Sequence, residues 1–425
     1  MNKSISIHWF RRDLRLEDNT ALNNALKSNT PIIALFIFDD NILNNLPKND
    51  PRVNFIYDTL TSLNLKLKEH GSSILIKKGK ALNVWKELVE KYSIEHVYAN
   101  KDYEPYALER DKEVGAIFKN NKIQFSLYKD QVIFEELEVV KNDNTPYTVY
   151  TPYKNKWLSL YLPTEIKSDI GYSNFYKNEF DFPSKVKLDI KLSNIKIKPI
   201  EHHVSDYDKT RDFPFKDKTS FLGPHLRFGT VSIRIIAQTL GKQNPTFLGE
   251  LIWREFFMQI LFNFPHVVKN NFRLKYNGIK WRNNKEEFKK WCDGLTGYPM
   301  VDAGMRQLNR TGYMHNRSRM ITAGFLCKHL LIDWRWGEAY FAKKLLDYEL
   351  SSNNGNWQWA SGTGCDAAPY FRVFNPNTQQ IKFDRDLSYI RKWVPEYGTI
   401  EYPKPIVDHS FARQRAIETY KNGIV

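Results

Sequence analysis

Short apolar runs alternate with longer amphipathic stretches through residues 1–130 of the chain. The runs have the length and composition of buried β-strands, and the stretches between them repeat apolar residues with helical spacing. Because regular alternation of strand and helix is typical of a doubly wound parallel sheet, we predict a Rossmann-like α/β domain here. The predicted strands are 4–10, 32–38, 73–76, 96–99 and 123–127, and the predicted helices are 53–69, 81–92 and 106–120.

From residue 201 onward the apolar pattern is helical, and no strand-like alternation returns. Residues 131–200 are rich in proline, lysine and asparagine and have weak periodicity. Since so long a structureless loop is uncommon inside one compact domain, we interpret 131–200 as an interdomain linker and 201–425 as an all-α domain. The helical pattern is clearest over 247–264, 285–292, 300–308, 319–331 and 338–348.

Charge and composition indicate which type of partner the protein binds and in which cellular compartment it works. The 425 residues carry a formal net charge of +15, which favours nucleic acid or another polyanion, although a lysine-rich genome is an alternative explanation. The N-terminus lacks the apolar core of a signal peptide, and the longest apolar run is too short to span a bilayer. The three cysteines, Cys292, Cys327 and Cys365, form no CxxC pair. We therefore expect a cytoplasmic protein without disulfides or a zinc site.

Residues 350–376, LSSNNGNWQWASGTGCDAAPYFRVFNP, combine features that an ordinary core does not need. Trp357 and Trp359 stand two apart, so on an extended or tightly turned backbone their rings point in different directions. The glycines allow the backbone to approach a flat ligand closely, and Asn353 and Asn354 offer amide groups beside the rings. The pattern predicts the wall of a pocket for a large heteroaromatic cofactor. The alternative is an aromatic-rich loop that caps a helix.

Two further motifs carry groups suited to binding an anion and a base. Residues 219–223, TSFLG, precede a helix-like run and offer hydroxyls and backbone N–H groups to a diphosphate. Plain N-capping is the alternative. Glu250 and Trp253 lie three apart on a predicted helix and share a face, where they suit hydrogen bonding and stacking to a base. The alternative there is a surface ion pair beside a core tryptophan.

The motif MHNRSRM, residues 314–320, places Asn316 and Met320 on one helix face and its two arginines on different faces. One arginine can reach phosphate, whereas an inward-facing arginine needs a carboxylate. Asp347 is the candidate partner for that inward arginine. A solvated basic helix is the alternative interpretation.

Several segments together resemble the photolyase/cryptochrome family, and most closely its class I cyclobutane pyrimidine dimer photolyases. They are WFRRDLRLEDN, ELIWREF, TGYPMVDAGMRQLNRTGYMHNRSRM, DWRWGEAYF, NNGNWQWASGTGCDAAPYFRVFNP and YPKPIVDH, and they extend over nearly the whole chain. The resemblance implies an N-terminal antenna domain and a helical domain that holds a U-shaped FAD. It also implies a carbon–carbon lyase, monomeric and without an obligate protein partner, that repairs ultraviolet-damaged DNA. In that reaction blue light excites reduced FAD, an electron passes to a flipped-out dimer, the ring opens, and the electron returns.

The resemblance further implies roles for individual residues. Arg211 would contact DNA phosphate, and Asn353 would face the flavin ring. Arg319 and Asp347 would form an ion pair beside that ring, and a leucine is expected next to them at position 348. FAD would be bound by Tyr207, Thr219, Ser220, Phe221, Leu222, Gly223, Glu250, Trp253, Arg254, Asn316, Arg319 and Asp347. The dimer pocket would be lined by Glu250, Trp253, Asn316, Arg317, Met320 and Trp359. Electrons would reach the flavin through Trp281, Trp334 and Trp357.

The sequence departs from the family pattern at three positions. Gly223 stands where several members have serine, and Glu349 where many have aspartate. Glu109 matches a carboxylate of members that bind methenyltetrahydrofolate, but Leu108 replaces their asparagine. A second antenna chromophore is expected, and a deazaflavin, a second flavin or none at all stay open beside the folate.

Other activities within and outside the family are less consistent with the residues. A (6-4) photolyase would carry a histidine pair where this chain has His315 followed by Asn316. A DASH-type protein would differ in the same motif. A cryptochrome-like photoreceptor without repair activity is the main alternative, although the complete dimer-pocket set disfavours it. A flavin oxidoreductase using NAD(P)H is disfavoured because no GxGxxG follows the first strand.

Overall fold

The computed structural model describes residues 4–163, 166 and 170–424, and the chain forms two compact units. Unit 1 comprises residues 1–135, 161–200 and 221–239, and unit 2 comprises 136–160, 201–220 and 240–425. The predicted linker is thus divided between the units and contains a helix, Tyr150–Leu160. Residues 164, 165 and 167–169 of that linker lie outside the described residues. The domain limits at 130 and 200 stay a prediction.

Within the described residues, five parallel strands form the sheet of unit 1 in the order β3–β2–β1–β4–β5. All of the predicted strands are present, and the predicted doubly wound parallel sheet is confirmed. In register, Trp9 of β1 lies opposite Leu35 of β2. The strands are β1 (Ile5–Phe10), β2 (Ile32–Asp39), β3 (Ile74–Gly79), β4 (Ile94–Asn100) and β5 (Gln124–Tyr128).

Helices supply the rest of the regular structure. The first are α1 (Thr20–Ala25), α2 (Asp40–Leu43), α3 (Pro51–Lys68), α4 (Ala81–Lys91), α5 (Pro105–Asn120), α6 (Tyr150–Leu160), α7 (Tyr207–Thr210), α8 (Leu222–Phe228) and α9 (Ile233–Gln243). They are followed by α10 (Pro245–Asn263), α11 (Lys285–Asp293), α12 (Pro299–Thr311), α13 (Asn316–Gly324), α14 (Trp334–Lys344), α15 (Leu350–Ser361), α16 (Pro376–Phe383), α17 (Ser388–Trp393) and α18 (His409–Asn422). None of the helices in the described part of the chain has both the length and the apolar character that crossing a bilayer requires.

Both faces of the unit 1 sheet are buried. Alternate residues of a strand point to opposite faces, so Ile7 and Trp9 join one core cluster, whereas Phe10 joins the other. The first cluster includes residues of α4 and α5, such as Trp85, and the second includes residues of α1 and α3, such as Leu60. This double cover explains why the strands read as continuous apolar runs in the sequence.

Unit 2 is helical around one large core cluster that contains Trp291, Trp334 and Trp357. Two of its predicted elements are wrong in detail. Residues 350–361 were expected to be extended or tightly turned but form helix α15, because Glu349 caps its start and Gly362, with φ of 84°, ends it. The helix predicted over 338–348 runs instead from Trp334 to Lys344, since Asp333 caps it four residues earlier than the apolar pattern indicates.

The predicted helix 319–331 is also interrupted, because α13 ends at Gly324 and a π-helical turn, Phe325–His329, follows. This turn buries Lys328, whose side chain lies among aromatic groups. Lys328 Nζ donates to the carbonyl oxygen of Tyr370 at 3.1 Å and lies 3.7 Å from the centroid of the Tyr420 ring. Burial lowers the pKa of Lys328 to about 7.

We expect Lys328→Met to raise the stability of the protein at pH 7 and to weaken its pH dependence. The lysine pKa is depressed in the folded chain, so the folded chain binds fewer protons than the unfolded chain between pH 7 and the ordinary lysine pKa of 10.5. The destabilisation by Lys328 is therefore fully present below pH 7 and fades as the pH rises toward 10.5. At about 1.4 kcal/mol for each pKa unit, and allowing for the cation–π contact, it amounts to about 2–4 kcal/mol.

Urea unfolding of parent and variant from pH 6.5 to 9.5 would measure this difference. Lys289→Met is the matched control, because Lys289 is exposed and pairs with Asp293 on the surface of the same unit. A stability difference that stays constant across this pH range would contradict the assignment.

Candidate functional site

Helix α10 presents a carboxylate and an indole ring on one side of unit 2. Asn244 caps the helix, and its side chain accepts from the N–H groups of Thr246 and Phe247. Glu250 and Trp253 lie three residues apart on α10, as the sequence predicts, and both are half-buried. Glu250 Oε1 accepts from Arg211 Nη1 at 2.6 Å. Burial raises the pKa of the Glu250 carboxyl group, and the arginine opposes that rise.

Tyr150 contacts Trp253 closely, although the sequence interpretation assigned it to a linker. The two rings stack with centroids 3.6 Å apart and an angle of 9° between their planes. The Tyr150 hydroxyl donates to the carbonyl oxygen of Gly249 at 2.6 Å, and its backbone N–H donates to Asp366 at 3.1 Å. The run of aromatic residues in YTVYTPYKNKW was the available signal for a packed helix at this place.

Helix α13 starts at Asn316 because the side chain of His315 accepts from the backbone N–H of Arg317 at 3.1 Å. Burial, and then the charges of Arg319 and Arg317, lower the pKa of His315 to about 4, so the ring is neutral at pH 7 and can accept this bond. Asn316 is exposed and Met320 half-buried, one turn apart on the same face. The predicted shared face is therefore accessible to a ligand.

The arginines of this motif both pair with carboxylates, so the alternative of a solvated basic helix is wrong. Arg317 Nη2 donates to Asp212 Oδ1 at 2.6 Å, and its guanidinium lies 4.1 Å from the centroid of the Phe383 ring. Arg319 Nη2 donates to Asp347 Oδ2 at 2.8 Å, which is the pairing that the motif predicts. Asp212 was not foreseen, because nothing in its local sequence links it to Arg317.

The Arg319–Asp347 pair offers one donor and one acceptor that suit the edge of a flavin ring. Asp347 Oδ1 is buried and has no hydrogen-bond partner in the described part of the chain. Buried polar atoms are normally paired, so this oxygen calls for a donor from a ligand. A flavin ring edge carries an N–H group flanked by carbonyl oxygens, which matches a free carboxylate oxygen beside a guanidinium. The residues present therefore fit FAD.

The leucine expected at position 348, beside this pair, is wrong. The chain has Tyr348 at this position and no leucine. The Tyr348 side chain is half-buried and packs against the core cluster that contains Trp334 and Trp357. Because its ring serves this packing, position 348 is removed from the residues expected to bind FAD.

Helix α15 carries the remaining polar candidates. The Asn353 amide donates to Glu338 Oε1 at 2.8 Å, and burial raises the pKa of that glutamate. Glu349, whose contact the sequence left open, accepts from the backbone N–H of Ser352 and caps the helix. Asn354 donates to the carbonyl oxygen of Val267 and serves packing. Trp359 is half-buried, and Trp357 is buried on a different side of α15.

The structure brings Trp281, Trp334 and Trp357 into one hydrophobic cluster, which sequence alone could not establish. Trp357 and Trp334 are 2% and 1% exposed, whereas Trp281 is half-buried. Gly337 makes the position of Trp357 possible, because a Cβ atom there would lie 2.1 Å from the Trp357 ring. Trp281 is thus the most solvent-exposed of the three tryptophans.

The residues expected at the FAD phosphates are distributed as follows. Tyr207 is half-buried in α7, and its ring meets Phe247 edge to face at 5.2 Å. Thr219 and Ser220 belong to unit 2, whereas Phe221, Leu222 and Gly223 belong to unit 1. Phe221 is the N-cap residue of α8 and has φ of 51°. Arg254 is half-buried on α10. Their roles stay predictions.

The carboxyl ends of the unit 1 strands carry paired charges. Doubly wound folds bind ligands where the strand order reverses, here between β1 and β4. Arg11 Nη1 donates to Asp111 at 2.5 Å, and Arg12 Nη1 donates to Asp102 at 3.0 Å. Although burial acts to raise it, Arg12 and its arginine neighbours hold the pKa of Asp102 well below its usual range. Leu108 and Glu109, the antenna candidates, are exposed on α5.

Comparisons with known proteins agree with these features. A model described as DNA photolyase matches residues 6–169, and one described as the FAD binding domain of DNA photolyase matches 247–401. A deoxyribodipyrimidine photo-lyase from Halobacterium salinarum is 34% identical over 479 aligned positions, which cover 99% of each chain. The crystal structure of a class III photolyase from Agrobacterium tumefaciens superposes with a TM-score of 0.89 at 31% identity, covering 99% of this chain and 98% of that one.

A second solved structure is that of an archaeal photolyase from Sulfolobus tokodaii with two FAD molecules. It superposes with a TM-score of 0.84 at 34% identity and covers 98% of this chain and 99% of its own. The similarity in sequence and in structure thus extends over both units and nearly the full length of each relative. The chain therefore belongs to the photolyase/cryptochrome family, as its motifs predict.

Proposed function

We propose that the protein is a deoxyribodipyrimidine photo-lyase, which uses blue light to split cyclobutane pyrimidine dimers in ultraviolet-damaged DNA. Bound FAD, when reduced and excited by light, supplies an electron that the dimer takes up and later returns, so the reaction is redox-neutral. The observation that carries the proposal is the convergence of three helices in unit 2. Helices α10 and α13 both pack against α15, and each contributes side chains of the kind that a flavin and a pyrimidine dimer require.

The residues around α15 divide into those that hold the cofactor and those that receive the lesion. Asp347 and Arg319 bind one edge of the flavin ring as acceptor and donor. Glu250 accepts a hydrogen bond from a base, and the ring of Trp253 contacts its apolar side. Asn316, Met320 and Trp359 line the rest of the lesion pocket, and the aromatic side chains keep water away from the reacting bonds.

Binding requires that the dimer leave the duplex. A damaged pair is already poorly stacked, so flipping it out of the helix costs less than flipping a normal base. Arg211 and Arg317 are proposed to hold the phosphates beside the lesion. In the free protein they pair with Glu250 and Asp212, so each phosphate has to share or displace a carboxylate. The net charge of +15 favours this association and makes it sensitive to salt.

A second, light-harvesting chromophore completes the proposal. Its support is the Sulfolobus tokodaii relative, whose structure holds two FAD molecules. The folate alternative rests on Glu109 alone, since Leu108 offers no amide. The absorption spectrum of chromophores released from the purified protein distinguishes a folate, a deazaflavin and a second flavin. We further propose a cytoplasmic monomer without an obligate protein partner. The three cysteines are buried and free, which suits the reducing compartment of that proposal.

The proposed activity is tested with an oligonucleotide that carries a single thymine dimer. Protein with fully reduced FAD is expected to restore the thymine absorbance under blue light and to leave it unchanged in the dark. Equal repair in darkness, or none in light, would refute the proposal. A light-dependent change in the state of the flavin without any repair would instead support the photoreceptor alternative.

A further inference from the structure

The stacked pair Tyr150–Trp253 suggests a role for Tyr150, which lies outside the sequence motifs of the family. Tyr150 is the first residue of α6, and its ring lies parallel to Trp253 at a centroid distance of 3.6 Å. So short and so parallel an arrangement leaves no room for a ligand to stack on the Trp253 ring from the same side. Trp253 can therefore contact a ligand only with its opposite face or its edge. By holding the ring in place, Tyr150 determines how that face and edge are oriented.

Tyr150 is itself held by two hydrogen bonds to separate parts of unit 2. Its hydroxyl donates to the carbonyl oxygen of Gly249, one residue before Glu250, and its N–H donates to the carboxylate of Asp366. The first bond connects the ring to the backbone of the helix that carries Trp253. The second connects the start of α6 to the turn that follows α15. The ring consequently has little freedom to leave the indole.

The helix behind Tyr150 is anchored independently of it. Trp157 is fully buried, and its Nε1 donates to Glu255 Oε1 at 3.0 Å. Tyr153 is also buried and packs on Phe256 with ring centroids 5.3 Å apart. These two contacts, one and two turns along α6, keep the helix against α10. Substitutions at Tyr150 therefore change the support of Trp253 without detaching α6.

We propose that Tyr150 is a positioning residue for lesion recognition, which holds the Trp253 ring in the orientation that a flipped pyrimidine dimer contacts. The inference rests on the proposed function of this pocket. It assigns Tyr150 no contact with the reacting bonds. Its loss should therefore weaken binding of damaged DNA and leave the repair rate at saturating DNA unchanged. Stacking of this kind holds the Trp253 ring in place with a free energy equivalent to about three- to tenfold, so its loss can lower the affinity for damaged DNA by up to that factor.

The test compares three variants of the complete, FAD-loaded protein. Tyr150→Phe keeps the stacked ring and loses only the bond to Gly249, so its affinity should stay near that of the parent. Tyr150→Leu keeps apolar volume without a ring plane, and Tyr150→Ala removes the support altogether. Both are expected to weaken binding of a thymine-dimer duplex about three- to tenfold and to change binding of the undamaged duplex by less than twofold. Leu158→Ala, on the exposed side of the same helix, is the matched control.

The outcomes separate this inference from the function on which it rests. If the parent protein repairs dimers and Tyr150→Leu binds both duplexes as the parent does, Tyr150 has no positioning role. A fall in the repair rate at saturating DNA, or equal weakening for both duplexes, would also overturn it, since a general loss of structure predicts those results. Failure of the parent protein to repair would refute the proposed function instead, whatever the variants do.

Discussion

Replacing Trp281 by phenylalanine is expected to abolish the light-driven reduction of oxidised FAD by an external thiol, while repair by previously reduced enzyme continues. Phenylalanine is much harder to oxidise than tryptophan, so it cannot pass an electron inward. Trp281 is the half-buried member of the cluster, whereas Trp334 and Trp357 are at most 2% exposed. A reductant in solution therefore reaches Trp281 first. The substitution keeps most of the apolar volume, so the fold should survive.

A paired assay of photoreduction and repair on the same variant tests this prediction. Trp393→Phe is the matched control, because Trp393 is also a partly buried tryptophan packed against that core cluster and has no proposed part in electron transfer. It should reduce FAD at the parental rate. Photoreduction at that rate in Trp281→Phe would leave Trp281 as a packing residue only. Loss of repair by previously reduced Trp281→Phe would point to damage to the fold and not to a missing donor.

The fold of unit 1 was accessible from the sequence because its strands are buried on both faces. A strand such as Ile32–Asp39 must then be apolar at nearly every position, and that pattern is visible without any tertiary information. Helix α15 is the opposite case. Its sequence, LSSNNGNWQWAS, is rich in residues with low helix propensity, and local preference argues against a helix. Tertiary packing against α10 overrides that preference. Gly355 shows how close this packing is, because a Cβ atom there would lie 2.1 Å from the Phe257 ring on α10.

The candidate site was accessible only as far as its residues stand in recognisable motifs. The partnership of Arg319 with Asp347 followed from the need of an inward arginine for a carboxylate. Tyr150 was missed because the proline-rich and asparagine-rich surroundings of α6 resemble a linker, and its partner Trp253 is distant in sequence. The pairing of Arg211 with Glu250 and of Arg317 with Asp212 was missed because the partners are distant in sequence, although an ion pair at Glu250 was one of the two interpretations of its motif. A contact between segments that are distant in sequence produces no local pattern of residue types from which it could be predicted.

Replacing Asp347 by asparagine is expected to weaken FAD binding by about one to two orders of magnitude. The change leaves the Arg319 guanidinium without its counter-charge. It also replaces one carboxylate oxygen by an amide N–H group, which cannot accept a hydrogen bond from the flavin N–H group. FAD binding thereby loses a hydrogen bond to a charged group, and such a bond is worth about 1.5–3 kcal/mol. Because the side chains of Arg319 and Asp347 are 28% and 20% exposed, solvent screening moves the loss toward the lower end of that range.

The fluorescence of FAD released on dilution measures this affinity directly and does not depend on repair. Asp293→Asn is the matched control, since it removes one negative charge from an exposed ion pair of the same unit and should retain FAD like the parent. The melting temperatures of the FAD-free proteins supply the second comparison. If Asp347→Asn melts like the parent without FAD and gains less stability when FAD is added, the carboxylate acts on the cofactor. If the FAD-free variant already melts lower and its FAD affinity is unchanged, Asp347 stabilises the fold through Arg319, and its unpaired Oδ1 does not receive the flavin.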